Sequence, residues 1–207
     1  MPNARRWPEG ELVIDSVTST TCPSPVSLRA PFGSIVAIVG PTGVGKTSLL
    51  RTLLGLQART AGSVHYAHAD LTEAKTGPAE RPFAWAPQEA PLVAGSLEEN
   101  IWLGAESQNA RTGLADVRAH IPHANTKLGA GGVALSGGEK AWVSLARAIA
   151  SDLPILLLDE PTAALDAASQ ERYLETLRAL KGTRTILLVT HRQEPLALAD
   201  QIVNIAP

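Results

Sequence analysis

One stretch constrains the fold more than any other. Ser34-Ile35-Val36-Ala37-Ile38-Val39 reads as a buried strand, Gly40-Pro41-Thr42-Gly43-Val44-Gly45-Lys46-Thr47 as a glycine-rich turn, and Leu49, Leu50, Leu53 and Leu54 recur at helical spacing. A chain passes this abruptly from strand to helix only where glycines admit backbone conformations that other residues avoid. The turn fits the P-loop pattern, in the strand-to-helix context that pattern requires. Consecutive backbone N–H groups can then face a polyphosphate, and the helix N-terminus adds its dipole. Lys46 would reach the β- and γ-phosphates and the Thr47 hydroxyl would ligate Mg²⁺, with Ser48 beside them. The competing reading is a glycine-rich turn that binds nothing.

The rest of the chain supports an open sheet. Pro154-Ile155-Leu156-Leu157-Leu158 and Thr185-Ile186-Leu187-Leu188-Val189 are strand-sized apolar runs. Each ends in polar residues, where α/β sheets place ligands. Strands alternating with helical patterns predict an α/β fold with a mainly parallel sheet. From about Gln88 to Ser136 the apolar pattern weakens, and Leu97 to Leu103 and Thr112 to Ile121 read as short helices of an inserted subdomain. Pro78, Pro82, Pro87 and Pro91 mark the crossing into it. The expectation is one domain over 1–207 with a helical subdomain inserted at about 88–141.

Composition excludes several classes. With 18 Lys+Arg against 20 Asp+Glu, the chain is not built to neutralise nucleic-acid phosphates wholesale, so no nucleic acid is expected. A single cysteine, Cys22, precludes an internal disulfide and a cysteine-rich metal site, and it suits a reducing compartment. No apolar run approaches the ~18 residues that cross a bilayer, which predicts a soluble globular chain.

Two further clusters carry chemistry. Asp159 and Glu160 end the strand at Ile155–Leu158; an acid there can hold Mg²⁺, and its neighbour can orient or deprotonate a water. Leu135-Ser136-Gly137-Gly138-Glu139 precedes a helix over Lys140–Ala150. Its glycines and serine can present donors to an anion, but Ser136-x-x-Glu139 is equally a capping box that satisfies only its own helix end.

Taken in order, these segments resemble the ATP-binding cassette (ABC) ATPase domain along essentially the whole chain. The P-loop lies at 40–47, the Q-loop at Gln88, the LSGGE signature at 135–139 and the Walker B strand at 155–160. Ala164-Leu165-Asp166 matches the D-loop and His191 the switch histidine. The resemblance implies a P-loop NTPase core, a small antiparallel β subdomain, and ATP with Mg²⁺. Two such domains would dimerise head to tail, each ATP lying between the P-loop of one and Ser136, Gly137 and Gly138 of the other. Glu160 would then be the catalytic base, with Lys46, Gln88 and His191 completing the catalytic set. Thr47, Gln88 and Asp159 would hold the metal, and Asp166 would signal across the dimer.

Ala94-Gly95-Ser96-Leu97-Glu98-Glu99-Asn100-Ile101 and Thr126-Lys127-Leu128-Gly129-Ala130-Gly131-Gly132 are similar to segments of exporter-type members. That branch implies a transmembrane permease partner, fused or separate, and a place on the cytoplasmic side of the cell membrane. No aromatic residue lies between Asp15 and Ala30, where the family sets a ring on adenine, and Ala130 stands where a glutamate is usual. The alternative is a soluble, non-transport or regulatory ABC protein. Trp142 is expected to pack, Tyr173, Leu174, Leu177 and Leu180 to form a core-facing stripe, and His120 and His123 to be solvated.

Overall fold

The computed structural model describes residues 7–89, 91–103, 127–128 and 135–206. Two sheets lie at its centre. The larger is five-stranded, in the order β11 (Gln201–Asn204), β3 (Ile35–Val39), β10 (Thr185–Val189), β9 (Ile155–Asp159) and β6 (Phe83–Ala86). Every pairing in it is parallel. The strands β9 and β10 are buried at every position, as expected of central parallel strands covered on both faces.

The smaller sheet is antiparallel, in the order β2 (Cys22–Ala30), β1 (Leu12–Ser19), β4 (Arg59–Tyr66) and β5 (Ala69–Asp70). In β2 buried and exposed residues alternate, so Val26 and Leu28 face the core while Ser27 and Arg29 face solvent. Trp7 packs edge-on against Tyr66 at a centroid distance of 6.1 Å, within this part of the core.

Helix α1 (Lys46–Leu53) leaves the P-loop with Leu49, Leu50 and Leu53 buried. A short pair, β7 (Gly95–Ser96) with β8 (Lys127–Leu128), flanks α2 (Leu97–Ile101). Next come α3 (Gly137–Ala150), α4 (Ala167–Leu180) and α5 (Gln193–Leu196). The signature helix α3 starts at Gly137, three residues before the expected Lys140, because Ser136 caps it. Helix α2 ends at Ile101, short of the predicted Leu103. Trp142 is buried against Tyr173 with ring centroids 4.9 Å apart, and Leu174, Leu177 and Leu180 complete the buried stripe of α4.

The mainly parallel sheet and the small antiparallel sheet both match the sequence reading. The expected helix at Thr112–Ile121, the segment Gly129–Gly132, and His120 and His123 lie outside the described residues.

Candidate functional site: a P-loop at the sheet edge

Strand register assembles the site. Val189 pairs with both Asp159 and Ile38, and Ala86 pairs with Leu158. The chain leaving each of these strands therefore emerges at one edge of the sheet. There it carries Gly40–Thr47, Gln88, Asp159–Glu160 and His191, the edge where open α/β sheets bind ligands. Gln88 is exposed, two residues past the end of β6.

The P-loop is held by close backbone contacts. Gly45, the N-cap of α1, has φ 103, ψ 18 and makes no side-chain cap. A Cβ there would lie 2.4 Å from the Thr21 carbonyl oxygen and 2.6 Å from Cys22 Cβ, so only glycine lets the β1–β2 turn sit on the loop. The Lys46 ammonium donates to the carbonyls of Gly40 at 2.7 Å and Pro41 at 2.9 Å. The Thr21 hydroxyl donates to Ser48 Oγ at 2.7 Å, and Gln57 Nε2 donates to Thr21 Oγ1 at 2.7 Å. A polar network thus joins this turn to the first helical turn. Cys22 is buried and desolvation raises its thiol pKa, which agrees with an inert side chain.

At the end of β9, Asp159 is buried. Burial raises its carboxyl pKa, the nearby Thr47 hydroxyl lowers it, and the neighbouring Glu160 charge raises it again. A desolvated carboxylate beside the P-loop threonine fits a divalent-cation site, and the first turn of α1 contains no acid that would repel a phosphate. Glu160 adopts a left-handed backbone, φ 48, unusual for a residue with a side chain. Its amide donates to the Val189 carbonyl at 2.9 Å, and its Oε1 lies 2.9 Å from His191 Nδ1. The structure therefore brings together the base and the switch histidine expected from sequence.

The signature turn stands apart from this cluster. Ser136 Oγ accepts from the Glu139 amide at 3.2 Å, and Glu139 Oε2 accepts from the Ser136 amide at 2.8 Å, a complete capping box. Ser136 and Gly137 are nonetheless exposed. A Cβ on Gly137 would lie 2.9 Å from Ala164 Cβ, and one on Gly138 would lie 3.3 Å from Leu165 Cδ2. The signature glycines therefore also have a packing cause, since they let the D-loop turn lie against the helix start. Asp166 caps α4 by accepting from the Ser169 amide at 2.7 Å. That bond, first of all, lowers its carboxyl pKa.

Several contacts escaped the sequence reading. Arg147 of α3 donates to the Asn100 carbonyl and side chain at 2.6 and 2.7 Å and to the Pro91 carbonyl at 2.6 Å. The buried Asn100 in turn clips Val93 and Ser96. Arg192 donates to Gln170 Oε1 at 2.6 Å and to the Ala163 carbonyl at 3.0 Å. The partners of Arg147 and Arg192 are far along the chain, and no local pattern marks them.

Comparison with known proteins agrees with this geometry. Residues 24–163 match the family model described as ABC transporter. An ATP-dependent lipid A-core flippase of Methylococcus capsulatus is 37% identical over 190 residues, covering 86% of this chain and 31% of that protein. The glutathione/L-cysteine transport system ATP-binding/permease protein CydD of Haemophilus influenzae is 33% identical over 198 residues, covering 92% and 34%. The structure of a bacterial Atm1-family ABC exporter with ATP bound superposes with a TM-score of 0.82 at 30% identity, over 99% of this chain and 39% of that one. The chain spans about a third of the length of the curated relatives it matches. It belongs to the ABC transporter family, and what it shares with these relatives is their exporter-type nucleotide-binding domain.

Proposed function

We propose that this chain binds and hydrolyses ATP to drive export across a membrane, through ATP-dependent head-to-tail pairing with a second nucleotide-binding domain. The observation that carries the reading is the shared sheet edge, with Glu160 held 2.9 Å from His191 beside the P-loop and the buried Asp159. The backbone N–H groups of the Gly40–Thr47 loop, Pro41 apart, would cradle the phosphates, and Lys46 would turn from the loop carbonyls toward the β- and γ-oxygens. Thr47, Gln88 and Asp159 would hold Mg²⁺, which supplies neutralisation of phosphate charge when bound. Glu160 would accept the proton of the attacking water. Its amide bond to Val189 and the His191 contact hold that carboxylate in place, while His191 is exposed enough to meet the terminal phosphate.

Ser136, Gly137 and Gly138 would contact the nucleotide held by the partner, and Asp166 would lie near the dimer seam. The region 88–141 would be the helical insertion. A transmembrane permease, fused or separate, would dock the domain on the cytoplasmic face of the cell membrane. Exporter names among the relatives and the segment 94–101 support that assignment over a soluble ABC protein.

Glu160→Gln tests the chemistry. Turnover should fall by about 10²–10⁴, the usual worth of a positioned base, while Mg-ATP still binds. The variant should then accumulate as an ATP-stabilised dimer by light scattering. A variant loaded with ATP yet strictly monomeric would refute the sandwich.

A further inference from the structure

We propose that Arg192 is a positioning residue that ties the nucleotide site of one subunit to the signature turn that the same subunit presents to its partner's nucleotide. The inference rests on the head-to-tail reading above and adds the physical link between its two sites. Arg192 directly follows His191, and its amide donates to Thr190 Oγ1 at 3.1 Å at the end of β10. Its guanidinium then spans two other elements: Nη1 donates to Gln170 Oε1 on α4 at 2.6 Å, and Nη2 donates to the Ala163 carbonyl at 3.0 Å. Gln170 is buried, so its end of the fork is anchored in the core.

Ala163 belongs to the turn that follows Glu160, and its amide donates back to the Glu160 carbonyl at 3.1 Å. The next residue, Ala164, is the one whose Cβ would lie 2.9 Å from a Cβ on Gly137. A contiguous path therefore runs from His191 through Arg192, Ala163 and Ala164 to the exposed Ser136–Gly137 turn. Among the described residues no carboxylate pairs with the guanidinium, so its donors serve neutral acceptors on two elements rather than an ion pair. A planar fork with two donors resists displacement in its plane, which a flexible ammonium does not. Movement of the His191 segment on contact with a phosphate is thereby passed to the signature as a displacement of a packed turn.

The test measures two quantities in the Glu160→Gln background: Mg-ATP affinity of the monomer with a fluorescent ATP analogue, and the Mg-ATP concentration at half-dimerisation by analytical ultracentrifugation. Arg192→Ala should raise the half-dimerisation concentration by about tenfold or more and leave monomer affinity within about twofold. Gln170→Ala, which spares the Ala163 bond, should shift the midpoint the same way by less, and Gln170→Glu, which keeps an acceptor, should recover most of that shift. An unchanged midpoint, or a loss of monomer affinity by the same factor, would overturn the role. If Arg192→Ala does not fold, the Gln170 pair decides on the same two readouts. Failure of the Glu160→Gln chain to dimerise at saturating Mg-ATP would instead remove the head-to-tail reading, and this inference with it.

Discussion

Helices α1 and α3 both start on glycine-containing turns, yet they treat their amide ends in opposite ways. Helix α1 begins at left-handed Gly45 with no side-chain cap, so its first N–H groups remain available to an anion. Helix α3 begins at Ser136 with both halves of a capping box in place. The first end is incomplete without a ligand of the same subunit. The second is stable by itself and can be carried as a finished surface to another subunit. The cap does not remove Ser136 from binding, because Oγ accepts from Glu139 and its own O–H is not spent on that bond. The sequence left capping and anion binding as rivals for Ser136-x-x-Glu139, and the geometry allows both at once.

The largest effect that sharpens this contrast is on nucleotide affinity. Lys46→Ala removes the ammonium from the uncapped end and should weaken Mg-ATP binding to the monomer by about 10²–10⁴-fold, the worth of two charge-assisted hydrogen bonds. Ser136→Ala should leave that affinity within about twofold. Its cost is the cap, about 1 kcal/mol, read as a Tm lower by about 2–4 °C. Equal losses of affinity in a titration of both variants would erase the distinction.

Stability comes next. Gly45→Ala places a Cβ against the Thr21 carbonyl and Cys22 at a φ of 103, a strain of about 1–3 kcal/mol that should lower Tm by about 2–12 °C. Gly138→Ala meets the flexible end of Leu165 at 3.3 Å and the Ala164 carbonyl oxygen at an ordinary 3.5 Å, and should lower it less. The reverse order in differential scanning calorimetry would mean that the signature, not the P-loop, is the tighter turn.

The smallest effect concerns a third helix start. Asp166 caps α4 with a carboxylate whose pKa is lowered below its ordinary 3.8, first by the Ser169 amide. Its folded pKa lies below its unfolded one, so its stabilisation is fully present above 3.8 and is lost as pH falls through the depressed value. The Ser136 hydroxyl, the half of its capping box that the Glu139 amide uses, carries no titrating charge. Asp166→Asn, which keeps an acceptor, should therefore flatten the acid limb of Tm against pH below about 4, whereas Ser136→Ala should shift the whole curve without changing its slope. An acid limb unaltered in the Asn variant would show that the Asp166 charge adds nothing to the cap.

Much of this molecule could be read from local sequence. The strands at 35–39, 155–159 and 185–189 were legible because buried parallel strands are continuous apolar runs, and the P-loop because glycines must occupy particular steps between strand and helix. Illegible were the contacts made by side chains whose partners lie far along the chain: Arg147 with Asn100, Arg192 with Gln170 and Ala163, and Thr21 with Ser48. Arginine and glutamine at those positions look like ordinary exposed helix and loop residues. Trp142 was correctly expected to pack, but its partner Tyr173 was unknown until the fold joined α3 to α4.

By itself the sequence determined the order of the motifs and the local shape of each, since backbone freedom, capping and apolar spacing act over a few residues. Only the tertiary structure decided which of those shapes meet. Parallel pairing of β3, β10, β9 and β6 gathers the P-loop, Gln88, Asp159, Glu160 and His191 at one edge. Packing of Ala164 on Gly137 leaves the signature facing outward. The physical reason is that register and packing are set by burying the whole sheet, a condition that no short segment can express alone.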